Sequence, residues 1–294
     1  MMEADLLANL SRGLEPSSAS FIVTVYGDVV VPRGEVLWTG SLIEVCARVG
    51  INESLVRTAV SRLVAASRLC GERAGRRSYY RLDVSAREEF DEAAALLYAR
   101  ESPPRGWQIL HAPALPREQA RALRLGCMGG QVFIRPDRGQ EAPAGAVLFC
   151  AGDPGDPAEV AQYWDLSALQ ARYLDMLRRF GGIERMVGRI SDETALIVRL
   201  LLVEVYRHVL LRDPRLPAEA LPADWKGAPA RDLFRRLYGA LTPAAERHIS
   251  ARLEGPDGFL PARTVQTNRR LTEIFNNFNM INGAGGSLDV SRKA

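Results

Sequence analysis

The segment from Ser41 to Leu82 constrains the chain more than any other. Residues 42–50, LIEVCARVG, carry an amphipathic helical pattern with Ser41 placed to cap it and Gly50 to close it. Ile51-Asn52 makes a tight turn, and a second helix is expected over 53–68. At 100° per residue, Leu55, Val56, Ala59, Val60, Leu63 and Val64 fall on one half of that helix. Arg57, Thr58, Ser61, Arg62, Ala65 and Arg68 fall on the other half. One face can pack while the opposite face presents arginines and hydroxyls. The chain then reverses through CGERAGRR (70–77) into SYYRL (78–82), two short strands around a glycine-containing turn. The pattern is a winged helix-turn-helix whose second helix is sized for the DNA major groove.

Charge supports this placement only when it is partitioned. Over 294 residues the net charge is +3, and 47% hydrophobic with 25% charged residues is the composition of a globular chain. From Arg57 to Arg81, seven arginines face a single acid, Glu72, giving +6 and leaving −3 for the rest. Total arginine content is less informative: only Lys226 and Lys293 are lysines, so 36 of the 38 basic residues are arginine, as GC-rich coding produces. Arg57, Ser61 and Arg62, with Thr58 beside them, are placed to reach base edges, where arginine pairs with guanine O6 and N7. Arg76 and Arg77 at the wing tip are assigned to phosphates or the minor groove, and Arg68 and Arg73 to flanking phosphates. Strand alternation sends one of Tyr79 and Tyr80 to the core, and Tyr79 is assigned to the DNA side.

The remainder reads as an α+β multidomain chain. An acidic helix over 85–98, capped by Ser85 and stopped by Pro103-Pro104, is expected as a connector. Strands are expected at 107–110, 131–134 and 146–150, with helices at 117–124 and 166–178, an α+β arrangement of split βαβ type. From 183 onward the chain reads as all-α. One helix over 193–211 has a broad apolar face (Leu196, Ile197, Leu200, Leu201, Val203) expected to bury within the chain. Breaks follow at Pro214, Pro217 and Pro222, then helices at 230–241, 243–253 and 261–279. By propensity alone, residues 20–31 are strand-like. The division is 14–83 for the DNA-binding domain, 84–104 for a linker helix, 105–180 central, 181–282 helical, and 283–294 a flexible tail.

Several chemistries lack their signatures. Cys46, Cys70, Cys127 and Cys150 are far apart, as are His111, His208 and His248, so no metal site and no disulfide framework are expected. No phosphate loop, dinucleotide motif or nucleophile elbow occurs. The most apolar helical stretch, 195–211, is interrupted by Arg199, Glu204 and Arg207, which argues against a membrane span and for a soluble protein, and the sparse cysteines point to the reduced cytoplasm.

Residues 20–69, SFIVTVYGDVVVPRGEVLWTGSLIEVCARVGINESLVRTAVSRLVAASRL, followed by GRRSYYRL (75–82), resemble the PaaX family, repressors of phenylacetic-acid degradation operons. LPADWKGAPARDLFRRLYGAL (221–241) extends the likeness. The resemblance implies a homodimeric repressor on double-stranded DNA with a palindromic operator, released by phenylacetyl-CoA, with no resident cofactor and no enzymatic activity. It also implies a ferredoxin-like central domain, and a first helix over 20–31 in place of the strand that propensity favours. An acyl-CoA effector calls for arginines beside an apolar slot. Arg117, Arg121, Arg124 and Arg135, with Trp107, Phe133 and Trp164, can supply such a set, but the expectation is that these arginines decorate a surface helix and the aromatics fill a core. The family's likeness to small nucleases opens an alternative, a nucleic-acid-processing enzyme with Asp137 or Asp153 on a divalent ion; both aspartates lie in turn-forming sequence.

Overall fold

The stretch with the highest β propensity is helical. Ser17 accepts a hydrogen bond from the Ser20 backbone N–H (3.2 Å) and starts α2, Ser18–Val25. The coil continues through a widened π turn, Tyr26–Val30, and a short 3-10 turn to Arg33. Phe21, Ile22, Val25, Tyr26, Val29 and Val30 are all buried, so apolar burial around the whole circumference outweighs the modest helix cost of β-branched residues.

The computed structural model describes residues 2–14, 17–99 and 101–283. A helix that the sequence did not announce, α1 (Met2–Ser11), precedes α2. Next come β1 (Val36–Trp38), α3 (Thr39–Ala47), α4 (Glu53–Ala65), β2 (Leu69–Ala74), β3 (Arg77–Leu82) and α5 (Arg87–Tyr98). After them lie β4 (Trp107–His111), α6 (Arg117–Ala122), β5 (Gly126–Gly129), β6 (Val132–Pro136) and β7 (Val147–Ala151). Short α7 (Pro157–Val160) leads to α8 (Leu166–Phe180), α9 (Asp192–Leu210) and α10 (Gly227–Arg252), then a hairpin of β8 (Glu254–Gly255) and β9 (Gly258–Phe259), and α11 (Val265–Gly283). No helix among the described residues is long and apolar enough to cross a membrane. Of the tail expected at 283–294, all but Gly283 lies outside the described residues, and Gly283 closes α11.

Contacts group the chain into two units. One comprises the described residues of Met1–Arg100, Gly182–Glu204 and Phe234–Ala294; the other comprises Glu101–Gly181 and Val205–Leu233. This grouping departs from the linear division expected at 84–104 and 181–282. The supposed connector α5 belongs to the first unit, where Phe90 and Tyr98 are buried. Its start also differs: Asp83, not Ser85, caps the turn that leads into it, accepting from the Ser85 backbone N–H (3.0 Å). The helices expected separately at 230–241 and 243–253 are one, α10. Pro243 sits inside it with its ring exposed, while Leu241, Ala244 and Ala245 bury the opposite side.

Asp28 organises the first unit. Its carboxylate is fully buried and accepts from Tyr98 Oη (3.0 Å), Tyr238 Oη (2.8 Å) and Arg270 (3.3 Å), with an Arg199 nitrogen at 2.9 Å. Arg270 also donates to the Gly27 and Asp28 carbonyls and lies 4.0 Å over the Tyr98 ring. Arg199 is 1% exposed in the middle of α9, where Ala195–Val203 is otherwise apolar and buried all round, as expected for this helix. One carboxylate thereby ties the turn after α2 to α5, α9, α10 and α11. One turn on, Arg33 donates to the carbonyls of Val29, Pro261 and Ala262.

The second unit is built on a four-stranded antiparallel sheet in the order β5-β6-β4-β7. Leu110, Ala112, Ala120, Leu125 and Phe133 form its core, which α6 helps to cover. Strand β5 was not foreseen; its sequence, GCMG, offers little apolar alternation, and the ladder to β6 is broken by a bulge between Cys127 and Gly129. The first helix lies between the first two strands and the second, α8, follows the last strand, both in the expected order. Leu166, Leu169, Tyr173, Met176 and Phe180, spaced at three and four residues, are its buried stripe.

Removing the charge at Asp28 leaves Arg199 and Arg270 uncompensated in the interior, so Asp28→Asn is expected to cost about 3–5 kcal/mol of unfolding free energy. Burial pushes the Asp28 carboxyl up, but Arg199 and Arg270 more than offset this and hold it below its ordinary value of 3.8. A depressed folded-state value means that the stabilisation is complete above the unfolded pKa and is lost as pH falls through the folded one. Urea unfolding across a pH series should show the parent losing stability more steeply than Asp28→Asn below about pH 4. Parallel profiles would refute this role.

Candidate nucleic-acid interface

The two-helix element forms much as its sequence requires, with one shift at its start. Helix α3 begins at Thr39, two residues before the expected cap. Ser41 is buried and its Oγ accepts from the Glu254 backbone N–H (3.0 Å). Gly50 adopts φ +83°, a left-handed value that favours glycine, and ends the turn out of α3. Asn52 then caps α4 by accepting from the Leu55 backbone N–H (3.0 Å). Val56, Ala59, Val60 and Leu63 are buried, and α4 packs on α2 and α3. Leu55 (48% exposed) and Val64 (38%) were expected on the packed face and lie outside it, because the buried arc is narrower than a half-circle.

The opposite face is open. Arg57, Thr58, Ser61 and Arg62 are all exposed. Thr58 Oγ1 donates to the Ser54 carbonyl (2.9 Å), and Arg57 pairs with Glu53 one turn earlier (2.7 Å). Strands β2 and β3 pair antiparallel, joined by the two residues Gly75-Arg76. Gly75 has φ +61°, the value demanded at the first central position of a type II′ hairpin turn. The strand β1 pairs on the other side of β3, giving the order β1-β3-β2.

Register decides the two tyrosines against the expectation. Tyr79 lies between Trp38 and Glu72 and is buried, 8% exposed. Tyr80, between Leu37 and Gly71, is half-buried on the other side, its ring against Gly71 where a Cβ would come within 2.8 Å of it. Tyr80 joins Thr39, Arg57, Ser61, Gly71 and Arg73 in lining a groove of about 470 Å³ between α4 and the hairpin. Tyr79 is therefore a core residue, and its neighbour Tyr80 is the one that faces the groove; alternation narrows the choice to two, but the pairing of β3 with both neighbours makes it.

The seven arginines separate into two groups. Arg57 pairs with Glu53, Arg68 with Glu89 (2.5 Å), and Arg77 with Glu254 while lying 4.4 Å over the Trp38 ring. Arg62, Arg73, Arg76 and Arg81 make no ion pair among the described residues. Those with carboxylate neighbours are oriented but partly neutralised; the other four present their full charge to solvent.

The residues weighed for an effector are not brought together as one site. Trp107 and Phe133 are buried, with Trp164 6.4 Å from Trp107, and Arg117 and Arg121 are exposed. Trp164 donates to the Arg124 carbonyl (3.0 Å). Arg135 is buried and donates to Gln108 and to the Gln140 and Glu141 carbonyls, bracing the turn after β6. Asp137 accepts from the Gln108 side chain and the Gly139 backbone N–H, and Asp153 is exposed in a loop. No group of three metal-ligating side chains occurs among the described residues.

Comparison with known proteins places the chain beside one family. Residues 17–86 match the family described as PaaX-like protein, and residues 164–251 match the PaaX-like protein C-terminal domain. The chain is 29% identical to the Transcriptional repressor PaaX of Escherichia coli (strain K12), covering 84% of this chain and 87% of that protein. Among solved structures it is similar in fold to the uncharacterized protein Rv0674 from Mycobacterium tuberculosis, with a TM-score of 0.51 and 23% identity. That likeness covers 78% of this chain and 97% of the other.

The burial difference between neighbours gives a direct test of these placements. Tyr79→Ala is expected to cost about 3–5 kcal/mol of stability by emptying a core position. Arg77→Ala should lower Tm by removing the stack on Trp38, and Arg76→Ala should leave Tm unchanged. Thermal and urea unfolding of the three variants check this; equal shifts in all three would contradict the register.

Proposed function

The chain belongs to the PaaX family, and on that premise we propose that it is a DNA-binding transcriptional repressor, not an enzyme. The observation that carries this is the exposed face of α4, where Arg57, Thr58, Ser61 and Arg62 stand together beside a hairpin tipped by Arg76. Residues 14–83 act as a winged helix-turn-helix. Helix α4 enters the major groove, with Arg62 and Arg57 reaching guanine edges and Ser61 and Thr58 filling polar contacts between them. Arg73 and Arg76 grip phosphates or the minor groove from the hairpin, with Arg77 held alongside by its stack on Trp38. Arg68 serves the flanking backbone, and Tyr80 takes the place first assigned to Tyr79.

The central segment, 105–180, is a variant of the ferredoxin-like arrangement, a reading supported by its strand order. The protein works in the cytoplasm as a homodimer on a palindromic operator, its half-sites one helical turn or a multiple apart. The regulated genes are those of phenylacetate catabolism, and an aryl-CoA thioester such as phenylacetyl-CoA releases the DNA. Release follows if the effector binds more tightly to a dimer whose α4 helices no longer match the half-site spacing.

A gel-shift series on the DNA upstream of the chain's own gene tests the assignment. Arg62→Ala should lose about 1–3 kcal/mol on the operator and little on random duplex. Arg76→Ala should weaken binding to all sequences and flatten its salt dependence. Equal losses of Arg62→Ala on operator and random DNA would overturn base reading by α4. Phenylacetyl-CoA should release the operator and free phenylacetate should not; release by neither removes the effector and leaves the repressor.

A further inference from the structure

Helix α4 carries one acid, Glu53, exposed at the end from which a recognition helix reaches base edges. Glu53 is not needed to start the helix, because Asn52 already accepts from the Leu55 backbone N–H. Its partner is Arg57, one turn on, and the two side chains are 59% and 61% exposed. A pair so exposed adds little to stability. It does fix which polar atoms each group has left to offer.

Arg57 Nε (2.8 Å) and Nη2 (2.7 Å) both approach the same carboxylate oxygen, Glu53 Oε1. The Nε–Nη2 edge of the guanidinium is thereby taken up by the acid. The Nη1–Nη2 edge meets no other acid among the described residues, and Glu53 Oε2 accepts no hydrogen bond from any of them. The pair presents two parallel donors with one acceptor beside them, joined by their own hydrogen bonds.

In the major groove a G·C pair presents guanine N7 and O6 as acceptors and, next to O6, the cytosine N4 amino group as donor. The two patterns are complementary. An A·T pair puts the adenine N6 amino group where O6 would be, donor against Arg57, and thymine O4 where the amino group would be, acceptor against Glu53.

We propose that Arg57 and Glu53 read one G·C pair together, Arg57 Nη1 and Nη2 donating to guanine N7 and O6 and Glu53 Oε2 accepting from the cytosine N4 amino group. Glu53 is then a specificity-determining residue, an inference that rests on base reading by α4. Its carboxylate repels phosphate in every sequence and offsets that loss only at the matching base pair.

Fluorescence anisotropy of the full chain tests this on the operator, on random duplex and on operators with each G·C pair replaced in turn by A·T. One such replacement should weaken the parent about ten- to a hundredfold and cost Arg57→Ala nothing beyond its own loss on the operator. At that same pair Glu53→Gln should lose about three- to tenfold of the parent's discrimination, yet bind random duplex as tightly as the parent or more so. Glu72→Gln, which removes the exposed acid of β2, should tighten operator and random duplex by the same factor. All three variants should keep Tm within about 2 °C of the parent. The proposal is overturned if Glu53→Gln shifts operator and random duplex equally, as Glu72→Gln does, or if its loss falls at a different base pair from that of Arg57→Ala. A parent that does not prefer operator to random duplex overturns base reading by α4 itself, and this inference with it.

Discussion

A single buried carboxylate holds the first unit together. Asp28 gathers two tyrosine hydroxyls and two guanidiniums from α5, α9, α10 and α11, segments that lie up to 242 residues away in sequence. Burying ions is costly, and their mutual attraction repays that cost only when geometry and hydrogen bonding are good. Here three hydrogen bonds converge on one carboxylate oxygen while the other faces Arg199 at 2.9 Å as an ion pair without a hydrogen bond, and Arg270 is additionally bound to backbone carbonyls and stacked on Tyr98. The widened turn at 26–30 places Asp28 inward, so the irregularity in the first helical stretch is where the tertiary network attaches. Helix α4 packs directly on α2, so the position of its exposed basic face depends on the same anchor.

Arginine carries three kinds of work in this chain, and burial separates them. Arg33, Arg199 and Arg270 are structural cations in the first unit, joined to backbone carbonyls or to Asp28. Arg57, Arg68 and Arg77 are surface groups oriented by Glu53, Glu89 and Glu254. Arg62, Arg73 and Arg76 are exposed without such partners among the described residues. Net charge and residue counts cannot distinguish these roles, because a guanidinium carries the same formal charge in all of them while its solvation and partners differ.

Much of the two-helix element and its hairpin was legible in the sequence. The helical period from 53, which ends at Ala65 three residues before the expected bound, and the glycine at the hairpin tip are local signals, and each acts through residues within a few positions, whereas the cap by Asn52 was read only as a turn. The strands at 107–110 and 146–150 and the stripe of α8 were legible for the same reason. What failed had a non-local cause. Tyr79 and Tyr80 are equivalent until β3 is paired on both sides. Ser41 looked like a cap, yet bonds a hairpin more than two hundred residues further on. Pro243 looked like a helix boundary, yet its exposed ring sits within one long helix whose other side is buried.

The sequence by itself determined the basic, hydroxyl-bearing face of α4, the hairpin that follows it and the concentration of +6 between Arg57 and Arg81. It did so because period, caps and turn glycines act over a few bonds and leave few competing conformations. Only the tertiary structure decided that the coil over 18–33 runs through a widened turn that points Asp28 inward, that α5 is core and not connector, and which arginines are buried. Those outcomes depend on burial against distant segments and on where Asp28 finds its partners, and the free energies involved exceed the local preferences that sequence patterns report.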